Sequence, residues 1–200
     1  VIRCTAAEIP LNFTFTLKNR DDGRFCSFSS VSICVNGFLK VNAKCWASAV
    51  NKTFYIVAYP NNYSIALQSG GEGKIWYDNV AESRMQNNRV YKSIQGDNKF
   101  DFIAKHTFVV TWDGVTTSDD EFNRFQLALT TNGAFHYAMA QFAFLQSYPS
   151  WSLLDLMQSL NKSDDPAAFI TLPPDWPFSR ANETARLLLS DLKASMYMHK

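Results

Sequence analysis

The sequence predicts a mainly β protein: an antiparallel β-sandwich-like domain with one or two helices in its C-terminal quarter. Three observations carry that prediction. Apolar and polar residues alternate with period two from Ile9 to Leu17, a pattern that suits a half-buried strand and not a helix. Short apolar runs recur between Asn-Gly, Gly-rich and Pro-containing turn sequences. Aromatic residues make up 14% of the chain, led by 16 Phe, and such side chains favour the pleated surface of a sheet. With 46% hydrophobic and 18% charged residues over 200 positions, the chain has enough apolar surface to build a sizeable core.

The elements follow in order. Ile9, Leu11, Phe13, Phe15 and Leu17 share one face of the first strand, and Asn12 falls on the polar face. Asn19 to Gly23 is a polar turn. Val31–Val35 is a second strand, closed by Asn36-Gly37, a two-residue hairpin signal, with Phe38–Val41 as its return. The continuous run Thr53–Tyr59, ending at Pro60, suits a strand buried on both faces. Gly70-Gly71-Glu72-Gly73 reads as a turn, because it lacks the Lys-Ser/Thr of a phosphate cradle. A short strand, Lys74–Tyr77, comes after it. Residues 78–99 are polar, and their periodicity does not separate a surface helix from a long loop. His106–Trp112 reads as a central strand. Phe125–Thr130 and Ala134–Phe142 flank Thr131-Asn132-Gly133, the clearest hairpin in the chain.

Helical spacing emerges only afterwards. Leu153, Leu156, Met157 and Leu160 predict one helix, and Leu187, Leu188, Leu192 and Met196 predict another between Ser179 and Met198. Pro173 to Pro177 is an extended linker between them. The expected organisation is a β-rich domain over 1–178 and a helical tail over 179–200.

No segment reads as membrane-spanning. The uncharged run from Phe125 to Leu154 is interrupted by polar residues, and its most apolar part, Ala134–Leu145, is too short for a bilayer of about 30 Å. Val1-Ile2-Arg3-Cys4 lacks the basic start and apolar core of a signal peptide, as expected of a mature or excised segment.

Four cysteines, Cys4, Cys26, Cys34 and Cys45, lie in the first quarter with no CxxC and no histidine near them. Zinc spacing is absent, so two disulfides are expected, with all three connectivities open. Five N-x-S/T sequons, at Asn12, Asn51, Asn62, Asn161 and Asn182, join the cysteines in pointing to a secreted chain or an ectodomain.

The sequence calls for no cofactor and contains no catalytic motif of the GxSxG, HExxH, P-loop or GxGxxG type. His106 and His136 have no adjacent Ser or Cys to activate, and a structural role is expected for both. Asp119, Asp120 and Glu121, with Asp113 six residues earlier, offer oxygen ligands to calcium. The Asp-x-Asp-x-Asn-Gly pattern is missing, and a solvated charged loop is the competing reading. Net charge is +1, and Lys99, Lys105 and His106 are interleaved with Asp97 and Asp101, which excludes the basic patch of a nucleic-acid binder. Tyr55, Tyr59, Tyr63, Trp76, Tyr77 and Tyr91 surround the central loops. They are either core of a Phe-rich sheet or anchors for a protein or a sugar.

Several segments stand in an order that resembles the nidogen-type (NIDO) domain. Ile33-Cys-Val-Asn-Gly-Phe-Leu-Lys-Val41 is similar to the family's Val-Asn-x-Asn-Gly-x-Ile-x-Phe segment, one residue shorter. Ile56-Val-Ala-Tyr-Pro-Asn-Asn62 resembles its Ile-Ala-Pro-Phe-Trp-Ala-Asp, with most of the aromatic and acidic residues replaced. Gly73-Lys-Ile-Trp-Tyr77 resembles its Gly-x-Val/Ile-Tyr-Tyr strand. The fullest match runs from Phe108-Val-Val-Thr-Trp-Asp-Gly-Val115 to Asn123-Arg-Phe-Gln-Leu-Ala-Leu-Thr-Thr-Asn-Gly-Ala-Phe-His-Tyr137. Trp151 and Phe169–Leu172 fall where the family has a tryptophan and a short tail segment. The cysteines at 26, 34 and 45 depart from the family pattern, and no closing strand is evident after Ala194. The resemblance covers about residues 8 to 175. It implies a non-catalytic extracellular module for cell–matrix or matrix–matrix adhesion, with an extracellular protein or matrix ligand as partner. The alternatives are a secreted carbohydrate-binding sandwich and a secreted hydrolase using Asp113, Asp119, Asp120 or Glu121 as paired carboxylates.

Overall fold

Period-two burial organises the first three strands, whereas the fourth and the centre of the sixth are buried on both faces. The computed structural model describes residues 3–18, 23–48, 51–59, 73–80, 104–116 and 122–145, together with the backbone of three short strands between 168 and 199. Eight main strands make two antiparallel layers. The first layer contains β1 (Ile9–Lys18), β2 (Phe25–Cys34), β3 (Phe38–Cys45) and β4 (Asn51–Val57), paired in that order. The second contains β5 (Lys74–Val80), β6 (His106–Val115), β7 (Asn123–Thr131) and β8 (His136–Leu145), also paired in order. Short strands extend both layers. β9 (Ala168–Thr171) pairs parallel with β4, β10 (Thr184–Leu188) pairs antiparallel with β8, and β11 (Tyr197–His199) pairs with β10.

One apolar core lies between the layers. Phe15 and Leu17 of β1, Phe54 and Ile56 of β4, Trp112 of β6 and Phe125 of β7 all belong to it. The alternation expected of β1 holds: Leu11, Phe15 and Leu17 are buried, Ile9 and Phe13 pack against the core, and Asn12 is exposed. β4 is buried on both faces, as its continuous apolar run predicted; Tyr55 and Val57 are as buried as Phe54 and Ile56. Residues 134–145 supply β8, with Ala138, Ala140 and Phe142 in the core.

The hairpins show why turn chemistry sits where it does. The β2–β3 loop has three residues, Val35-Asn36-Gly37, not two, because Cys34 pairs with Phe38. Gly37 has φ +87°, and a Cβ there would lie 2.1 Å from the Tyr59 carbonyl oxygen. Only glycine meets both demands, a left-handed backbone and a close approach by the chain leaving β4. In the β7–β8 loop, Asn132 Oδ1 accepts from the backbone N–H groups of Ala134 and Phe135, at 3.0 and 2.8 Å. Thr131 Oγ1 accepts from Gly133 N at 2.9 Å and donates to Phe135 O at 2.8 Å. Side chains there replace the ladder bonds that the turn gives up.

Two disulfides close the first layer, Cys4–Cys34 and Cys26–Cys45. Cys26 and Cys45 are direct cross-strand partners of β2 and β3, and Cys34 faces Cys4 across an isolated antiparallel bridge. Register thus selects one of the three connectivities.

The helix expected over 151–160 lies outside the described residues, as does the 81–99 part of the undecided segment. Most of the stretch from Ser179 to Met198 is also outside them; the structure describes there only strand backbone, β10 and the start of β11. Among the described residues no helix is long and apolar enough to cross a membrane.

Candidate functional site

The two outer faces of the sandwich differ in chemistry. On the first layer the outward side is polar at Ser30, Asn42 and Thr53, while Phe38, Tyr55 and Val57 on the same side are buried. Glu8 accepts hydrogen bonds from Ser30 Oγ and from Asn42 Nδ2, and Asn42 Oδ1 accepts from Thr53 Oγ1 at 3.1 Å. Thr53 is the hydroxyl residue of the Asn51 sequon. Asn51, opposite Lys44, and Asn12 are both exposed on this side. Each sequon thus stands where an oligosaccharide would meet solvent and no core residue. Asn62, Asn161 and Asn182 lie outside the described residues.

Across the second layer, strand register places residues in rows, because partners across adjacent strands project to the same side. Trp76 pairs with Thr111, Thr111 with Gln126, and Gln126 with Gln141. One indole, one hydroxyl and two amides therefore run as a single row over β5, β6, β7 and β8. Gln126 Nε2 donates to Thr111 Oγ1 at 2.8 Å. In the next row, Arg124 Nε donates to Asp113 Oδ1 at 2.5 Å, with the arginine side chain 60% and the aspartate 27% exposed. These two rows line a groove of about 470 Å³, floored by Thr111 and Gln126 and bordered by Trp76, Gln141 and Ala143. A second depression of about 420 Å³ continues past Trp76 to Asp78, Val80 and Val109. Lower on this face a small apolar cluster, Val80, Ala104, Val109, Ala128 and Met139, is buried.

The aromatics singled out in the sequence divide. Tyr55 and Tyr59 are core; Tyr59 packs its ring 5.8 Å from Phe125 and 5.7 Å from Phe142. Trp76 and Tyr77 are 54% and 51% exposed on the edge strand β5, on opposite sides of it: Trp76 pairs with the outward Thr111, whereas Tyr77 pairs with the core residue Val110 and packs its ring 5.7 Å from Phe108. Tyr63 and Tyr91 lie outside the described residues. A second aromatic patch stands at the far end of the first layer. There Trp46 is 70% exposed, its ring is 6.2 Å from Phe25, and Lys18 Nζ is 5.7 Å from the Phe25 centroid.

Neither described histidine stands beside a nucleophile. His106 is exposed and stacks on Phe13 at 5.2 Å. His136 is buried, packs edge-on to Phe15, and accepts the Thr16 backbone N–H through Nδ1 at 3.4 Å. Burial lowers its pKa, since the imidazolium would lose hydration.

The calcium candidates Asp119, Asp120 and Glu121 lie outside the described residues. Among the described residues no group of three or more His, Cys, Asp or Glu converges on a metal-sized point. Asp113, the fourth acid of that set, is engaged by Arg124.

Sequence reasoning named Trp76 and Tyr77 but missed Thr111, Gln126 and Gln141. The available signal was parity: each occupies the outward position between two core residues, Val110 and Trp112, Phe125 and Leu127, Ala140 and Phe142.

No curated protein and no solved structure matches the chain. The family model described as the nidogen-like domain, an extracellular module, matches residues 29–170. That span includes seven of the eight main strands, from within β2 to the end of β8, and both candidate outer faces. The chain belongs to the nidogen-like domain family.

Proposed function

We propose that this domain is a non-catalytic adhesion module that binds an extracellular matrix or cell-surface protein through the outer face of β5–β8. The observation that carries the reading is the asymmetry of the two faces. Both described sequons stand on the first layer, and glycans at Asn12 and Asn51 would keep that side hydrated and unavailable. The opposite layer presents Trp76 beside a groove. A half-exposed tryptophan is among the side chains that most often anchor an interface.

The chemistry of this face supports contact rather than catalysis. Asp78 and Asp113 are the acids that border its depressions. They pair with Val109 and Lys74, four residues apart along the strands, which separates them by roughly 14 Å. Paired carboxylates that hydrolyse glycosides stand about 5–9.5 Å apart. Asp113 is also held by Arg124.

The test is solid-phase binding of the secreted, glycosylated chain to a basement-membrane preparation. The variant Trp76→Glu is expected to lose about thirtyfold or more in affinity, the equivalent of about 2 kcal/mol at an aromatic anchor. Lys40→Glu/Lys44→Glu on the opposite face is expected to bind as the parent does. Equal binding by all three proteins would remove the assignment of the face. Failure of the parent chain to bind any matrix or cell-surface preparation would remove the adhesion reading.

A further inference from the structure

We infer that the groove beside Trp76 is a subsite for an uncharged oligosaccharide carried by the partner; this rests on the reading of that face as the contact surface and names what it recognises there. The first ground is the composition of the row. A pyranose ring has an apolar C–H face and a rim of vicinal hydroxyls, each both donor and acceptor. The exposed indole of Trp76 offers a flat apolar surface of matching size. Along the same row stand Thr111, Gln126 and Gln141, whose hydroxyl and amide groups also combine donors with acceptors. An apolar protein side chain docking here would leave most of those groups without partners, at the cost of their hydration.

The second ground is which of these groups are free to bond outward. Gln126 Nε2 is committed to Thr111 Oγ1, so the Gln126 carbonyl oxygen and the Thr111 hydroxyl hydrogen are directed elsewhere. The Gln141 side chain makes no hydrogen bond to a described residue. The internal bond fixes the floor of the groove in one geometry before any ligand arrives, which lowers the ordering cost of binding.

Charge supplies the third ground. Four ionised side chains with described positions border the groove on β5, β6 and β7: Lys74 and Arg124, Asp78 and Asp113. Two are positive and two negative, and Arg124 and Asp113 bond to each other. These four charges cancel, unlike the cationic cluster that a sulfated or sialylated chain needs. Neighbouring strands lie about 4.8 Å apart, so the row from Trp76 to Gln141 spans about 14 Å. That is room for a short oligosaccharide rather than one ring.

The experiment presents the whole chain to a printed array of neutral oligosaccharides ending in mannose, galactose or N-acetylglucosamine, with sulfated and sialylated counterparts beside them. Binding is expected to the neutral set, without gain from sulfate or sialic acid. Trp76→Ala and Gln141→Ala are each expected to lower it by about tenfold, and Trp46→Ala, at the remote aromatic patch, to leave it unchanged. Gln141→Ala carries the test if the tryptophan variant is not secreted. Absence of neutral ligands, binding restricted to anionic glycans, or binding indifferent to both groove variants would overturn the inference. A second arm separates this claim from the one beneath it. The chain is offered an immobilised matrix preparation before and after enzymatic removal of its N- and O-glycans. Loss of binding on deglycosylation supports the sugar subsite. Undiminished binding overturns the subsite and leaves the protein-contact reading standing, whereas no binding in either state removes that reading itself.

Discussion

The two ends of the sandwich are joined by opposite kinds of hydrogen bond. At one end Trp112 of β6 donates its indole N–H to the Cys34 carbonyl of β2 at 3.0 Å. At the other, His136 of β8 accepts the Thr16 N–H of β1. Both satisfy a backbone group of the first layer with a buried side chain of the second. The difference lies in chemistry: an indole does not titrate, and an imidazole does. The first joint therefore holds at any pH, while the second depends on it. Each end also carries one disulfide, Cys4–Cys34 beside Trp112 and Cys26–Cys45 toward the His136 end.

The largest break is expected at the tryptophan end. Trp112 is fully buried and stacks on Phe125 at 5.0 Å. Trp112→Ala is expected to cost about 3–5 kcal/mol through lost burial and the cavity left behind. Trp112→Phe keeps most of the packing but removes one of two donors to the Cys34 carbonyl, which retains the Gly37 N–H at 3.2 Å, at about 0.5–1.5 kcal/mol. Urea titration of the two variants separates packing from hydrogen bond. A loss for Trp112→Phe below a few tenths of a kcal/mol would mean that the bond across the layers adds nothing to the joint.

A smaller break is expected at the other end when its cross-link is removed. Cys26–Cys45 closes a separation of 19 residues, for which chain entropy predicts about 3 kcal/mol. The pair Cys26→Ala/Cys45→Ala is expected to lower the unfolding free energy by that order while leaving the β6–β7–β8 pairing intact. Hydrogen exchange resolved by strand checks both parts. Equal loss of protection in the two layers would show that they unfold as one unit with no local weakness.

The sequence displayed the strands clearly because each is written in its own residues: alternation in β1, an unbroken apolar run in β4, and turn residues at Asn36-Gly37 and Asn132-Gly133. The joints and the groove are written across strands, and no window of the chain contains them. Nothing near His136 names Thr16 as its partner, 120 residues away. Thr111, Gln126 and Gln141 read singly as ordinary outward residues, and they form a row only once register aligns four strands. The disulfides show the same limit, since spacing left all three pairings open and the β2–β3 register selected one. Trp76 was visible as an aromatic but not as exposed, because β5 is an edge strand only in the finished sheet order.

The smallest effect sharpens the comparison most, because it should act at one end only. Burial depresses the His136 pKa below its ordinary value of 6.5. In the unfolded chain the imidazole takes up a proton as pH falls through 6.5, while the folded protein resists it. The unfolded state therefore binds more protons in that window, and stability must fall with pH until the depressed native pKa is reached. Protonation also turns Nδ1 from acceptor into donor and removes the bond from Thr16 N. The domain is thus expected to keep its Tm above pH 6.5 and to lose Tm progressively below it. His136→Asn places a non-titrating oxygen close to where Nδ1 stands. It is expected to flatten that slope without altering the response to Trp112→Phe. Thermal melts of the parent and both variants across the window decide the matter. An unchanged slope in His136→Asn would assign the acid sensitivity to other groups and make the two ends equivalent.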